Sequence, residues 1–167
     1  MKTLLLALLC CTAFSASAAD DFSAEISVEN VIRVMNAYRA EAALPPLVSE
    51  RRLHLAAEDR MRHMEEESYW AHQAPDGTSP FVWVKAREYN YQRVGENLAT
   101  GFETAKVLVE AWMESPGHRA NIMSPHFEDC GIAIIDGAVD GPAVGRSIVV
   151  LFGRKHEPAP VIARGSK

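Results

Sequence analysis

No apolar run in this chain is long enough to cross a bilayer as a helix, no block of lysine and arginine stands anywhere in its body, and no segment repeats. The first lack predicts a chain without a transmembrane segment. The second, in a protein of formal net charge −5, removes the basic footprint on which nucleic acid is held, so no nucleic-acid partner is expected. Cysteine is also scarce, with three in 167 residues, and two of them, Cys10 and Cys11, fall in an N-terminal stretch that reads as a leader. There Lys2 precedes an apolar run over residues 4–11 and then the small-residue series Ala16-Ser17-Ala18-Ala19, the pattern of a secretory signal peptide cut after Ala18 or Ala19. Leu9 and Cys10, where a lipid-modified cysteine wants a small neighbour, argue against a lipoprotein signal. Loss of the leader leaves Cys130 as the single cysteine of an exported, periplasmic or extracellular protein, and no intramolecular disulfide is expected.

What is present is the material of one globular domain: 48% hydrophobic and 23% charged residues in a chain long enough to bury a core without staples. Val28, Val31, Ile32, Met35, Tyr38 and Ala42 keep the spacing of one helix face behind an N-cap at Ser27, and Leu44-Pro45-Pro46 stops that helix. Ser49 is placed to cap a second helix that buries Leu53, Ala56, Ala57, Met61 and Met64, turns Glu50, Arg51, Arg52, Glu58, Asp59, Arg60 and Arg62 to water, and frays at Glu65-Glu66-Glu67. Residues 68–77 carry aromatics, a histidine and an Asp-Gly turn without a helical period, and read as a functional loop. Ser79-Pro80 predicts the start of a short helix to about Glu88 with Phe81 and Val84 inward. Residues 89–101 read as irregular or extended. Thr104 caps a further helix with Val107, Leu108, Ala111 and Trp112 on one face, ended by Pro116-Gly117. The β-branched runs 130–135 and 147–152 make an antiparallel pair. Helices come first and strands last, so the class is α+β, helices on a small antiparallel sheet. The organisation expected is a signal peptide over 1–19, a linker over 20–27, one domain over 28–153 and a flexible tail over 154–167.

Three segments offer ligand-type groups at loops or helix ends: His72, Glu96 and His118. Imidazole and carboxylate suit zinc or another divalent cation, and three such ligands leave a coordination position for water. The same residues also read as loop braces, each histidine bonded to a backbone carbonyl and Glu96 to nearby amides. Glu96 with Glu114 could supply the two carboxylates of a glycoside hydrolase, while Glu110 and Glu114, four apart on one helix, read as a solvated face. Cys130 with His126 or His118 is a conceivable nucleophile and base, but at the head of an apolar strand it reads as a small buried hydrophobe. Ser115 lacks the glycine-flanked elbow of a nucleophilic serine. His54, His63 and His156 read as surface. Trp70, Trp83 and Trp112 read as core or cleft wall, with aromatics near His72 able to line an apolar groove.

Asn36-Ala37-Tyr38-Arg39, Leu44-Pro45-Pro46-Leu47, Ala71-His72 with Pro75-Asp76-Gly77, Gly95-Glu96-Asn97-Leu98-Ala99, and the run from Trp112 to Ile122 (Trp-Met-Glu-Ser-Pro-Gly-His-Arg-Ala-Asn-Ile) follow one another in this order. In this the chain resembles the CAP superfamily of cysteine-rich secretory, antigen 5 and pathogenesis-related 1 proteins, in its bacterial SCP-domain branch. The resemblance implies an α-β-α sandwich with a central antiparallel sheet. It also implies an open cleft whose tetrad of two histidines and two glutamates can hold a divalent metal in some members. His72, Glu96 and His118 match three of the four; where the family's second glutamate would stand, this chain has Ser115.

Two functional readings follow. The first is an exported, monomeric, non-catalytic module whose cleft binds a divalent metal or a small apolar or cell-surface ligand, and the absent second glutamate favours it. The second is a zinc-dependent hydrolase in which zinc on His72 and His118 activates water and Glu96 is a ligand or the general base. Glu114, Ser115 and Asn97 are secondary site candidates.

Overall fold

A computed structural model describes residues 25–139 and 145–156. The expected leader, most of the linker and the tail from residue 157 lie outside the described residues. The elements are α1 (Val28–Glu41), β1 (Val48–Ser49), α2 (Arg51–Glu66), α3 (Val82–Ala86), β2 (Tyr91–Phe102), α4 (Ala105–Glu114), α5 (Pro116–Ile122), β3 (Asp129–Asp136) and β4 (Arg146–Lys155). The four strands form one sheet in the order β1-β3-β4-β2, in which β1 runs parallel to β3 and the other pairs are antiparallel.

The sheet divides the core in two, because side chains alternate along each strand. Cys130, Ile132, Ile148, Val150 and Phe152 pack with Val31 and Met35 of α1 and with Leu108, Val109, Trp112 and Ile122 of α4 and α5. Their neighbours Ala133, Val149 and Leu151 point the other way, onto Leu53, Ala57, Met61 and Met64 of α2 and Val84 of α3. This is the expected α-β-α sandwich. The approach of α2 to the sheet is set at Gly131, where an added Cβ would lie 2.1 Å from the backbone of Leu53 and of His54. On the other face the buried Arg39 of α1 donates to the carbonyls of Pro45, Ile122, Ser124 and Phe127, tying the α5–β3 connection down.

Ser27 caps α1 through a bond from the Asn30 amide, and Thr104 caps α4 through Val107, as the sequence predicts. Several expectations are corrected. Ser49 lies in β1, and Glu50 is the cap of α2, its carboxylate accepting from the Arg52 and Leu53 amides. Ala42 follows α1 as an exposed cap residue, and α3 begins at Val82, after the Ser79-Pro80 turn. Val107 is 54% exposed; the inner face of α4 is instead Ala105, Leu108, Val109, Trp112 and Met113. Pro116 ends one helix and opens another, since its fixed φ and missing N–H suit the first turn of α5. The region read as irregular or extended is extended: it is β2, which pairs with β4 along its length, so the sheet has four strands where two were expected from the β-branched runs. β4 runs through Arg154 and Lys155, two residues past the expected domain end. Arg60, expected in water, is fully buried, and His63, expected at the surface, is half-buried.

Candidate functional site

The site is built around the centre of β2. Along this strand Glu96 and Leu98 face α2, while Gly95, Asn97 and Ala99 face α4 and α5. Residues 95–99 are all buried, two of them polar, and each polar side chain has its partners.

On the α2 side, Glu96 Oε2 accepts from Arg60 Nε at 3.1 Å and Oε1 bonds His72 Nδ1 at 2.8 Å. The Arg60 side chain is 0% exposed and that of Glu96 is 2% exposed. Arg60 sits on α2 seven residues after Leu53 and three after Ala57, in phase with the apolar stripe, and that helical phase is the signal from which its burial can be read. Its remaining donors go to Tyr69 Oη and to the carbonyls of Ala71 and His72, and its guanidinium lies 5.0 Å from the Trp83 ring centroid and 5.3 Å from that of Tyr69. Tyr69 Oη also meets His63 Nδ1 at 2.8 Å, so one hydrogen-bonded chain joins His63, Tyr69, Arg60, Glu96 and His72. A carboxylate oxygen can only accept here, which places a proton on His72 Nδ1 and leaves Nε2 as the ring's free nitrogen. The His72 side chain is 58% exposed. The bond from Glu96 raises its pKa above the ordinary histidine value, with burial opposing.

On the other side the outer edge of β2 is closed by side chains. Asn121 Nδ2 donates to Glu96 O and to Asn97 Oδ1, Trp112 Nε1 donates to Leu98 O at 3.2 Å, and Asn97 Nδ2 donates to His118 O at 3.1 Å. Gly95 leaves room for this arrangement, since a Cβ there would lie 2.9 Å from Asn121 Oδ1. His118 is thereby held at its backbone, with its ring tilted against Trp112 at 6.3 Å between centroids. Burial, and secondly the charge of nearby His72, lower the His118 pKa below the ordinary value. The two imidazoles lie within electrostatic reach of each other and are pushed in opposite directions.

The structure thus joins Glu96 to His72 and sets His118 near them, with Asn97 as the brace between β2 and α5. Glu114 is exposed and lies toward α1, where its charge, after burial and those of Glu110 and Glu41, raises the Tyr38 phenol. Ser115 serves as the junction of α4 and α5, its carbonyl accepting from the Arg119 amide. Cys130 is fully buried, and burial pushes its thiol up to about 12, which leaves no thiolate nucleophile. Among the described residues no group of three or more His, Cys, Asp and Glu side chains is gathered as a metal site requires. Glu96 holds a buried guanidinium on one oxygen and the His72 ring on the other, so an ion there would stand beside a fixed positive charge, and the donor set does not fit a three-ligand ion.

His72 and Glu96 open onto a cavity of about 390 Å³ shared with Gln73, Ser79, Pro80 and Phe81. A larger recess of about 610 Å³, lined by Lys85, Glu88, Tyr89, Asn90 and Tyr91, carries no imidazole or thiol. The candidate site opens on the smaller one. The described helices include none long and apolar enough to cross a membrane.

Residues 32–145 match the model of the cysteine-rich secretory protein family, CAP. The uncharacterized protein YkwD of Bacillus subtilis is 35% identical over 108 residues, covering 65% of this chain and 42% of that protein. A second protein of the same organism, the uncharacterized membrane protein YlbC, is 22% identical over 65% of this chain and 31% of its own length. The chain therefore spans less than half of either curated relative. Among solved structures, an extracellular SCP-domain protein of Bacillus anthracis superposes with a TM-score of 0.64 at 20% identity, over 76% of this chain and 40% of that one. An outer surface protein of Borrelia burgdorferi gives 0.65 at 20% identity, over 80% of this chain and 99% of that one. These likenesses carry the fold, and the match over residues 32–145 carries the family: the chain belongs to the cysteine-rich secretory protein (CAP) family, in company with bacterial SCP-domain proteins.

Proposed function

We propose that this chain is an exported recognition module whose cavity beside His72 binds a small ligand with an apolar body and one polar end, without turning it over. The observation that carries the reading is the engagement of Glu96 by Arg60 and His72. It removes the carboxylate from service as a free base or metal ligand and leaves His72 Nε2 available beside the apolar wall of Pro80 and Phe81. Cys130 is buried, and Ser79, the hydroxyl on the cavity wall, has no hydrogen bond to His72 among the described residues. Export is supported by the leader pattern and by the extracellular and surface character of the structural neighbours.

The test is an NMR titration of the isotope-labelled domain with octanoate, as an apolar probe with one polar end, and with muramyl dipeptide as a cell-surface probe. Saturable shifts at Gln73, Ser79 and Phe81 with either probe, abolished in His72→Ala, are expected. Hydrolysis of peptide, ester or glycan substrates by the wild type above the His72→Ala background would overturn the non-catalytic reading.

A further inference from the structure

The geometry points to Arg60 as the resident cation of this site, a positioning residue that holds Glu96 and His72 where the family resemblance implies a divalent metal. Four observations converge on it. Glu96 is buried on a strand, where a carboxylate must have a countercharge, and among the described residues the cation bonded to it besides the His72 ring is the buried guanidinium. All three nitrogens of the Arg60 fork are engaged: Nε on Glu96, one terminal nitrogen on Tyr69, the other on the Ala71 and His72 carbonyls. His72 is therefore fixed twice by one group, at its backbone directly and at its ring through Glu96. Finally, an ion on Glu96 would stand beside a guanidinium that cannot give up its proton, and the two imidazoles alone are fewer ligands than a protein zinc site uses. This assignment is independent of the ligand reading above, since the site would be metal-free whether or not the cavity binds a small molecule.

The experiment compares the mature protein with Arg60→Met, Glu96→Gln and the double variant, each melted in EDTA and in zinc chloride. The wild type should melt at the same temperature in both. Arg60→Met leaves the buried carboxylate with the His72 ring as its remaining partner and no fixed countercharge, so it should be markedly less stable in EDTA and should recover in zinc, which finds one Glu96 oxygen released. The double variant removes both charges at near-constant volume and should be more stable than Arg60→Met, with no zinc response. If Arg60→Met fails to fold, folding of the double variant still supports the assignment. The proposal is overturned by any of three results: a zinc-dependent rise in wild-type melting temperature that Glu96→Gln abolishes; a double variant no more stable than Arg60→Met; or a zinc response in the double variant equal to that of Arg60→Met.

Discussion

Asn97 holds β2 to α5 with a side chain that is fully buried, donating to the His118 carbonyl and accepting from Asn121. Asn97→Ala takes the side-chain donor from the His118 carbonyl and the acceptor from one N–H of the Asn121 amide, both part-buried, which costs about 1–3 kcal/mol in all. Urea denaturation should show a loss in that range, and one at least as large for Asn121→Ala, which takes its donors from the Glu96 carbonyl and Asn97 Oδ1 on two buried residues. The histidines make a second prediction at this scale, from opposite signs. His118 has a folded pKa below its ordinary 6.5, so the folded state resists its protonation, and stability is lost as pH falls through the lowered value. His72 is raised above 6.5, so its bond to Glu96 stabilises fully below 6.5 and is lost as pH rises through the raised value. Their joint contribution therefore peaks near pH 6.5. Urea midpoints across pH 5 to 8 should lose the alkaline fall in His72→Gln and the acid fall in His118→Gln, each small because both rings are partly solvated.

At the scale of elements, packing distances decide. The Cβ of Gly131→Ala would meet backbone, not a side chain that can rotate away, so α2 must lift from β3. A loss of more than about 3 kcal/mol, seen as a lowered melting temperature, is expected. The same contest between local signal and tertiary context separates what was legible from what was not. The helix starts at Ser27 and Thr104 and the inner face of α2 were legible, because caps and periodicity act within a few residues. The motifs also marked His72 and Glu96, which the structure joins by a hydrogen bond. β2 was left undecided between irregular and extended because Gly95, Glu96 and Asn97 are poor strand formers, and the strand exists through its pairing with β4, whose partners lie 44 to 64 residues later in the chain. Arg60 was hidden by its charge: its helical phase marked it as buried, but its partner Glu96 is 36 residues away on that undecided segment. The Ser49 cap failed for a related reason, since Ser49 is taken up by the parallel pairing of β1 with β3 and the cap falls to Glu50.

For the molecule as a whole, the two cores share one sheet, and neither α1 with α4 nor α2 with α3 has anything to cover once β3 and β4 separate. Unfolding should therefore be a single transition, with near-ultraviolet and far-ultraviolet signals changing together. Cys130 gives that prediction a direct probe. It stands at the start of β3, 0% exposed, in the middle strands of the sheet and beneath α1, with its thiol pushed up to about 12 by burial. No fraying end or surface loop uncovers it, so a thiol reagent can reach it only when the sheet opens. Labelling of Cys130 by an excess of iodoacetamide derivative, followed by mass on the protein without residues 1–19, should be negligible in the native state. Across a urea series it should rise with the same midpoint as the circular dichroism signal. Labelling that begins at lower urea than the loss of circular dichroism would show that α1 leaves the sheet first, and that the two faces unfold as separate units.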